Sequence, residues 1–349
     1  MLTSVNGGRL LTEQRANLRE LADSQYSQGA ESIAFDRIRG GDVITTQRSR
    51  DTGLTCTRQT LCHGRHPESS RHSGSRVVTN AFDVSGRTII LTGAAGLLGR
   101  EYGRALVKAG ASVVLADINE ACVAANAADL ESQPGRAIGV GVDVTDEASV
   151  AQLVRTTLAA FGRIDGLVNN AALNPAVVRD RNVDFDVPFE AYSLDLWNRT
   201  LAVNLTGMFL CARAVAPTLL AQQRGAIVNV SSTYGLVGPD QRLYENEEPG
   251  GPRGYKPVAY SVTKSGVLGF TRYLASYWAG TGIRVNTLTP GGVRAEQPDE
   301  FVRRYSARTL LGRMADRHEY SAALLFLLSD ASSYMTGSNL VIDGGWTAW

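Results

Sequence analysis

From Phe82 onward, short apolar runs rich in β-branched residues alternate with segments whose apolar positions recur every three to four residues. Thr88–Leu91, Ser112–Ala116, Ala137–Val142, Gly166–Asn169, Ala226–Val230, Ile283–Thr287 and Leu340–Ile342 read as strands buried on both faces. Helical patterns lie between most of them, near residues 98–110, 146–161, 194–223 and 258–280. Strands alternating with helices at this spacing predict βαβ units and a parallel sheet. Right-handed crossovers then give an α/β fold, a doubly wound Rossmann-type parallel sheet of about seven strands with helices on both faces. Residues 81–349 suit a single domain of this kind, and no internal repeat interrupts them.

Residues 1–80 carry a different pattern. They hold 16 residues of the Phe/Ile/Leu/Val/Trp/Met set, at the edge of what can bury a core. Leu10–Leu21 can form a weak amphipathic helix, and after Gly40 no periodicity is sustained. The segment reads as a poorly ordered extension, or as text upstream of a true start near Val77 or Val78. Cys56, Cys62, His63 and His66 offer zinc-type donors, but their spacing matches no common structural zinc site, so no metal is expected. Glu13, Glu20 and Asp23 argue against a transit peptide.

Composition narrows the class further. The chain is 44% hydrophobic and 20% charged, an ordinary globular balance. A net charge of +1 gives no global field for nucleic acid. Only three of the 35 basic residues are lysines: Lys108, Lys256 and Lys264. No run of 18 apolar residues suggests a membrane span, and no signal-peptide layout is present. Four cysteines do not make a disulfide framework. The expectation is a soluble, cytoplasmic protein with a small-molecule partner.

Candidate chemistry begins at Thr92-Gly93-Ala94-Ala95-Gly96-Leu97-Leu98-Gly99, between the first strand and first helix of a βαβ unit. Glycines there permit a tight turn and close backbone approach, and free N–H groups at the helix start suit a pyrophosphate. The next strand ends in Asp117, where an acid can accept from both ribose hydroxyls of NAD and repel the extra phosphate of NADP. No Arg or Lys lies within 93–99. NAD is therefore the expected cofactor, with NADP the weaker alternative. Asp117 can also serve as a helix N-cap.

Tyr260-Ser261-Val262-Thr263-Lys264 places a tyrosine and a lysine one turn apart on one helix face. Together with Asp143-Val144, Asn169-Asn170-Ala171-Ala172, Asn204, Ser231-Ser232, Pro290-Gly291 and the terminal Val341–Gly345, this pattern resembles the classical short-chain dehydrogenase/reductase family over about 82–349. The resemblance implies hydride transfer between an alcohol or carbonyl and a nicotinamide. It implies Tyr260 as general acid/base, and a free tyrosine, ionising near ~10, needs help for that role. Lys264 would lower the phenol and bind the nicotinamide ribose. Ser232, three residues before Gly235, would donate to the reacting oxygen, with Ser231 structural. Asn204 would hold a relay water. Asp143 and Val144 would meet the adenine, Asn170 and Ala171 the adenosine ribose, and Pro290, Gly291 and Val293 the nicotinamide. Bland roles also exist, Asp143 as a helix cap and Pro290-Gly291 as a turn.

Departures are limited. The family's middle glycine is displaced to Gly96, with Leu97 in its place; Ala172 replaces a glycine, and Ala295 stands where a threonine is usual. Two segments are lengthened, Leu173–Tyr192 and Gly238–Pro257. Their charges (Arg179, Asp180, Arg181, Asp184 and Asp186 in the first; Asp240, Arg242, Glu245, Glu247, Glu248 and Arg253 in the second) suggest a polar substrate wall. Within the family, Ser232–Pro239 with Tyr244-Glu245, and Pro290–Val293 with Gln297, Phe301 and Tyr305, resemble flagellin-modification protein A, which implies a sugar-like substrate. The competing expectations are a 3-oxoacyl-carrier-protein-type reductase using NADPH and a non-enzymatic NAD-binding sensor. Family likeness further implies a homodimer or homotetramer paired through 194–223 and 258–280.

Overall fold

The computed structural model describes residues 80–174, 187–245 and 254–349, with the backbone of three strands among the first 79 residues. The chain divides into two units, Met1–Arg76 and Val77–Trp349. In the first, strands β1 (Ala34–Phe35), β2 (Val43–Gln47) and β3 (Thr55–Gln59) form an antiparallel sheet in the order β1-β2-β3. The sequence pattern suggested no such sheet after Gly40; Val43-Ile44-Thr45-Thr46 and the threonines of β3 supply the β-branched residues that strands favour. The candidate helix Leu10–Leu21 and the side chains of Cys56, Cys62, His63 and His66 lie outside the described residues.

The second unit contains the expected seven-stranded parallel sheet. Its strands are β4 (Thr88–Thr92), β5 (Ser112–Asp117), β6 (Arg136–Gly141), β7 (Gly166–Asn169), β8 (Gly225–Val230), β9 (Ile283–Pro290) and β10 (Asn339–Ile342). They lie in the order β10-β9-β8-β7-β4-β5-β6. The chain winds outward from β4 through β5 to β6, then returns to pair β7 with the other edge of β4. That reversal opens a crevice at the carboxyl ends of β4 and β7, the usual ligand position in such sheets.

Helices α1 (Leu97–Lys108), α2 (Glu120–Ala128), α3 (Glu147–Phe161), α4 (Leu194–Leu201), α5 (Gly207–Gln222), α6 (Val258–Tyr277), α7 (Asp299–Ser306) and α8 (Ser321–Leu328) complete the domain. Asn119 caps α2 by accepting from Cys122 N, and Asp146 caps α3 by accepting from Ala148 N and Ser149 N. Neither Asp117 nor Asp143 is therefore a helix N-cap. One core packs Tyr102, Leu106, Leu324 and Leu328 against Ile89, Leu91 and Val228. On the other face, Leu153, Val215, Leu219 and Leu274 pack against Ile90, Val114 and Ile227.

The stretch 194–222 is long and apolar enough, by composition, to cross a membrane. Its residues Leu210, Cys211, Val215 and Leu219 instead pack against the sheet. The single helix expected over 194–223 is interrupted by a π-helical segment, Ala202–Thr206, between α4 and α5. Such segments often mark functional sites. This one carries Asn204 at its centre.

Candidate active site

A cleft of about 1960 Å³ lies at the carboxyl ends of β4, β7, β8 and β9. All but two of the residues expected in the site line it, from Gly93 and Asp117 at one end to Ser232, Tyr260, Lys264 and Val293 at the other. The exceptions are Ala95 and Asn204, which do not reach its wall.

The first half follows from the turn after β4. Gly93 has φ +67°, and a Cβ there would lie 2.7 Å from the Ala171 Cα, so only glycine fits. Helix α1 starts after Gly96 with no side-chain cap, leaving its first N–H groups available to an anion. A side-chain lock holds this turn against the end of β7. Thr92 Oγ1 accepts from the backbone N–H groups of Asn170 and Ala171, both at 3.1 Å. Asn170 Nδ2 donates to the carbonyls of Thr92 and Gly93 at 3.1 and 3.0 Å. The Asn170 amide thus shapes the turn as well as lining the cleft.

Asp117 ends β5 in the cleft wall, with Oδ2 accepting from Ala95 N at 3.0 Å and Oδ1 from Asn119 N at 3.0 Å. Ala95 therefore contributes by tying the turn to the acid. Arg100, one residue beyond the cation-free window 93–99, donates from Nε to the Ala95 carbonyl at 3.0 Å. A cation does stand beside this turn. Asp143 accepts from the Thr145 backbone and hydroxyl at 2.8 and 2.7 Å, and Asp143 and Val144 line the adjoining wall. The cradle, the free N–H groups and the acid together fit a dinucleotide.

The second half is built by α6 and the loop after β8. Tyr260 and Lys264 are both buried, and Lys264 Nζ donates to the Val230 carbonyl at 2.8 Å. Burial raises the Tyr260 phenol above its ordinary value, with a Ser232 hydrogen bond acting the other way. Lys264 is pushed down to about 7, chiefly by burial and secondly by the charge of Lys256. The lowering of Tyr260 expected from Lys264 is not what sets its direction here: burial raises the phenol, and the Ser232 hydrogen bond is what opposes it. Ser232 Oγ accepts from Tyr234 N at 3.2 Å, and Ser231 Oγ donates to the Lys264 carbonyl at 2.7 Å. Ser231 is thus engaged with the backbone of α6, and both serines line the cleft.

Asn204 sits behind the wall. Its Oδ1 accepts from Leu173 N at 2.7 Å, and its Nδ2 donates to Thr263 Oγ1 at 3.1 Å. Its direct partners are thus the 173 loop and α6, with no hydrogen bond to Lys264. A second buried polar chain was missed in the sequence: Asn169 Nδ2 donates to Asn229 Oδ1, Asn229 Nδ2 to Thr271 Oγ1, and Thr287 Oγ1 to Thr271 Oγ1. It stitches β7, β8 and β9 to α6, the helix that carries Tyr260. No spacing in the chain announces it, because its members come from four separate elements.

The outer wall also differs from expectation. Asp240 bonds Arg242 and accepts from Arg308 Nη1 at 2.5 Å, and burial is outweighed by these arginines, which hold its carboxyl at about 2. Arg304 Nη1 donates to the carbonyls of Arg242 and Glu245. Asp240 thus ties the loop to Arg308, just past α7, and the backbone carbonyls of Arg242 and Glu245 tie it to Arg304 of α7; none of the three lines the cleft. Its substrate half is lined by Tyr234, Tyr244, Tyr255, Lys256, Phe301 and Tyr305. Tyr244 donates to Tyr234 Oη at 3.0 Å, and Tyr305 stacks on Trp346 at 4.2 Å. The other charges of the two lengthened segments, in 175–186 and 246–253, lie outside the described residues.

The family model described as enoyl-(acyl carrier protein) reductase matches residues 93–347. The chain belongs to the short-chain dehydrogenase/reductase family. Within that family it is 36% identical to D-threitol dehydrogenase of Mycolicibacterium smegmatis, over 76% of this chain and 95% of the relative. It is 35% identical to cyclopentanol dehydrogenase of Comamonas testosteroni, over 76% of this chain and 98% of the relative. A solved gluconate 5-dehydrogenase from Burkholderia cenocepacia, in complex with NADP and tartrate, matches at a TM-score of 0.67 and 29% identity, covering 77% of this chain and 98% of its own. The short-chain dehydrogenase/reductase domain described here is thus an NAD(P)-dependent oxidoreductase that interconverts alcohol and carbonyl groups.

Proposed function

We propose that this enzyme uses NAD to interconvert an alcohol and a carbonyl on a polar, sugar-like or cyclic polyol substrate, with Tyr260 handling the proton. The observation that carries the reading is the convergence of Tyr260, Lys264 and Ser232 in one cleft with the Gly93–Gly99 turn and Asp117. The nicotinamide, when bound, supplies the hydride chemistry. This chain's residues do the rest: the turn and Asp117 hold the dinucleotide, Pro290, Gly291 and Val293 border its reactive end, Lys264 holds a ribose, and Asn204 supports Lys264 through a water. Ser232 donates to the substrate oxygen while Tyr260 exchanges its proton.

Support for the substrate class comes from the wall. Aromatic faces at Tyr244 and Phe301 suit the apolar side of a ring, and tyrosyl hydroxyls suit its hydroxyls. The likeness of 232–245 to flagellin-modification protein A favours a sugar among these. The relatives act on threitol and cyclopentanol, small alcohols of compatible size. Exposed Phe209, Val262, Tyr273 and Tyr277 on α5 and α6 support self-association into a dimer or tetramer, which sedimentation of the purified chain checks.

The test is turnover followed by near-ultraviolet cofactor absorbance, pairing NAD or NADP with threitol, cyclopentanol, aldoses, sugar acids and nucleotide sugars, beside acyl thioesters. NAD-linked turnover of a polyol or sugar is expected. NADPH-linked reduction of an acyl thioester would replace this reading with the carrier-protein reductase, and cofactor binding without turnover across the panel would favour the sensor. Asp117→Asn removes the charge and keeps one amide oxygen as an acceptor for Ala95 N, at the cost of the bond from Asn119 N. We expect it to lower the NAD-to-NADP ratio of kcat/KM by about tenfold or more, as like-charge repulsion of the phosphate disappears. An unchanged ratio would remove Asp117 from cofactor choice and turn attention to Arg100.

A further inference from the structure

Lys256 has no place in the motif Tyr260–Lys264, yet it lies in the same cleft. Its Nζ stands 4.0 Å from the centroid of the Tyr260 ring and 5.8 Å from that of Tyr234. The side chain is buried, and Nζ donates to Asn174 Oδ1 at 3.0 Å. Its backbone is fixed as well: Gln241 Oε1 accepts from Lys256 N at 2.9 Å, and Gln241 Nε2 donates to the Lys256 carbonyl at 3.2 Å. Pro257 follows directly and leads into α6. Two elements thus hold this ammonium at a set height over the tyrosine ring.

We propose that Lys256 is a positioning residue for the proton step, whose ammonium over the Tyr260 ring favours the phenolate. The inference rests on reading Tyr260 as the proton acceptor. The physical reason is the ring's electron density. A phenolate face is richer in charge than a phenol face, so a cation held above it binds the ionised form more strongly. Lys264 stands farther from the ring, at 5.8 Å. Among the described residues, the titratable or hydrogen-bonding groups facing Tyr260 are Lys264 from α6, Ser232 and Tyr234 from the loop after β8, and Tyr244 and Lys256 from the loop before α6.

The experiment is a titration of the full chain, without cofactor or substrate, labelled at the tyrosine Cζ with ¹³C. The chain has 12 tyrosines, and Tyr260→Phe identifies the resonance to follow. Lys256→Gln and Lys256→Met are expected to raise the Tyr260 midpoint by about one pH unit, a tenfold shift of the ionisation equilibrium. Lys256→Arg should keep the midpoint near that of the parent chain, since a cation remains. Turnover of the panel's active alcohol in Lys256→Gln should fall about tenfold at neutral pH and recover as pH rises above both midpoints. A Tyr260 midpoint that stays put in folded Lys256→Gln, or in Lys256→Met should the first not fold, overturns the proposal. So does a raised KM with an unmoved pH profile, which would make Lys256 a substrate contact. Full turnover in Tyr260→Phe would instead sink the reading of Tyr260 and leave the titration result standing.

Discussion

Tyr260→Phe is expected to reduce kcat/KM by about 10³-fold, with cofactor affinity and thermal midpoint near those of the parent enzyme. The ring is buried between Lys256 and the loop after β8, and phenylalanine keeps its volume and its face toward the Lys256 ammonium. Only the hydroxyl and its bond with Ser232 are lost. What disappears is the proton acceptor that the alcohol must meet as hydride leaves. In the parent enzyme, alcohol oxidation should rise with pH, because burial holds the phenol protonated and only its ionised fraction accepts a proton. The variant should lose that limb of the profile. Steady-state kinetics across pH checks both points, and retention of more than a tenth of the parent activity would mean another group carries the proton.

Gly99→Ala should be nearly as damaging, by a different route. A Cβ at Gly99 would lie 2.1 Å from the Gly93 carbonyl oxygen and 2.8 Å from the Ala94 Cα. Both are backbone atoms, so no rotamer can relieve the clash and the turn itself must shift. Overpacking of this kind costs about 1–3 kcal/mol, or roughly 2–5 °C in thermal midpoint for a domain this size. Because the same turn offers its N–H groups to the pyrophosphate, affinity for the dinucleotide should fall at least about tenfold. Gly269→Ala is the control: it sits exposed in α6, a Cβ there would meet no atom within 4 Å, and alanine should be neutral or stabilising. Calorimetry and cofactor titration of the two variants separate turn distortion from a general intolerance of methyl groups. Equal behaviour of the two would remove the steric argument.

Much of this was legible along the chain because it is local. Strands buried on both faces advertise themselves as apolar runs, so all seven parallel strands were readable, and β9 alone runs well past its expected end, to Pro290. The glycine turn and the Tyr260/Lys264 pair are set by spacing within one element and its immediate neighbour. The same locality left capping open as an alternative role for Asp117 and Asp143: the true caps Asn119 and Asp146 lie close behind them, and only the hydrogen-bond partners distinguish the pairs. The three-stranded sheet among the first 79 residues went unread because short β-branched runs without a core pattern carry little signal.

The order of residues was enough to specify the parallel sheet, the phosphate turn, and the identity of the tyrosine and lysine that face the cleft. How these are supported emerged only on folding. Asn204 bonds Leu173 and Thr263 from a π-helical segment, and Asp240 pairs with Arg242 and Arg308 outside the cleft wall. Lys256 comes to rest over the ring of Tyr260 because Gln241, 15 residues earlier, clamps its backbone. The difference lies in the range of the forces involved. Backbone geometry and hydrophobic periodicity act between near neighbours and leave a trace in the sequence. A charge over a ring, or a side-chain bond between distant elements, depends on distances that exist only once the chain has folded.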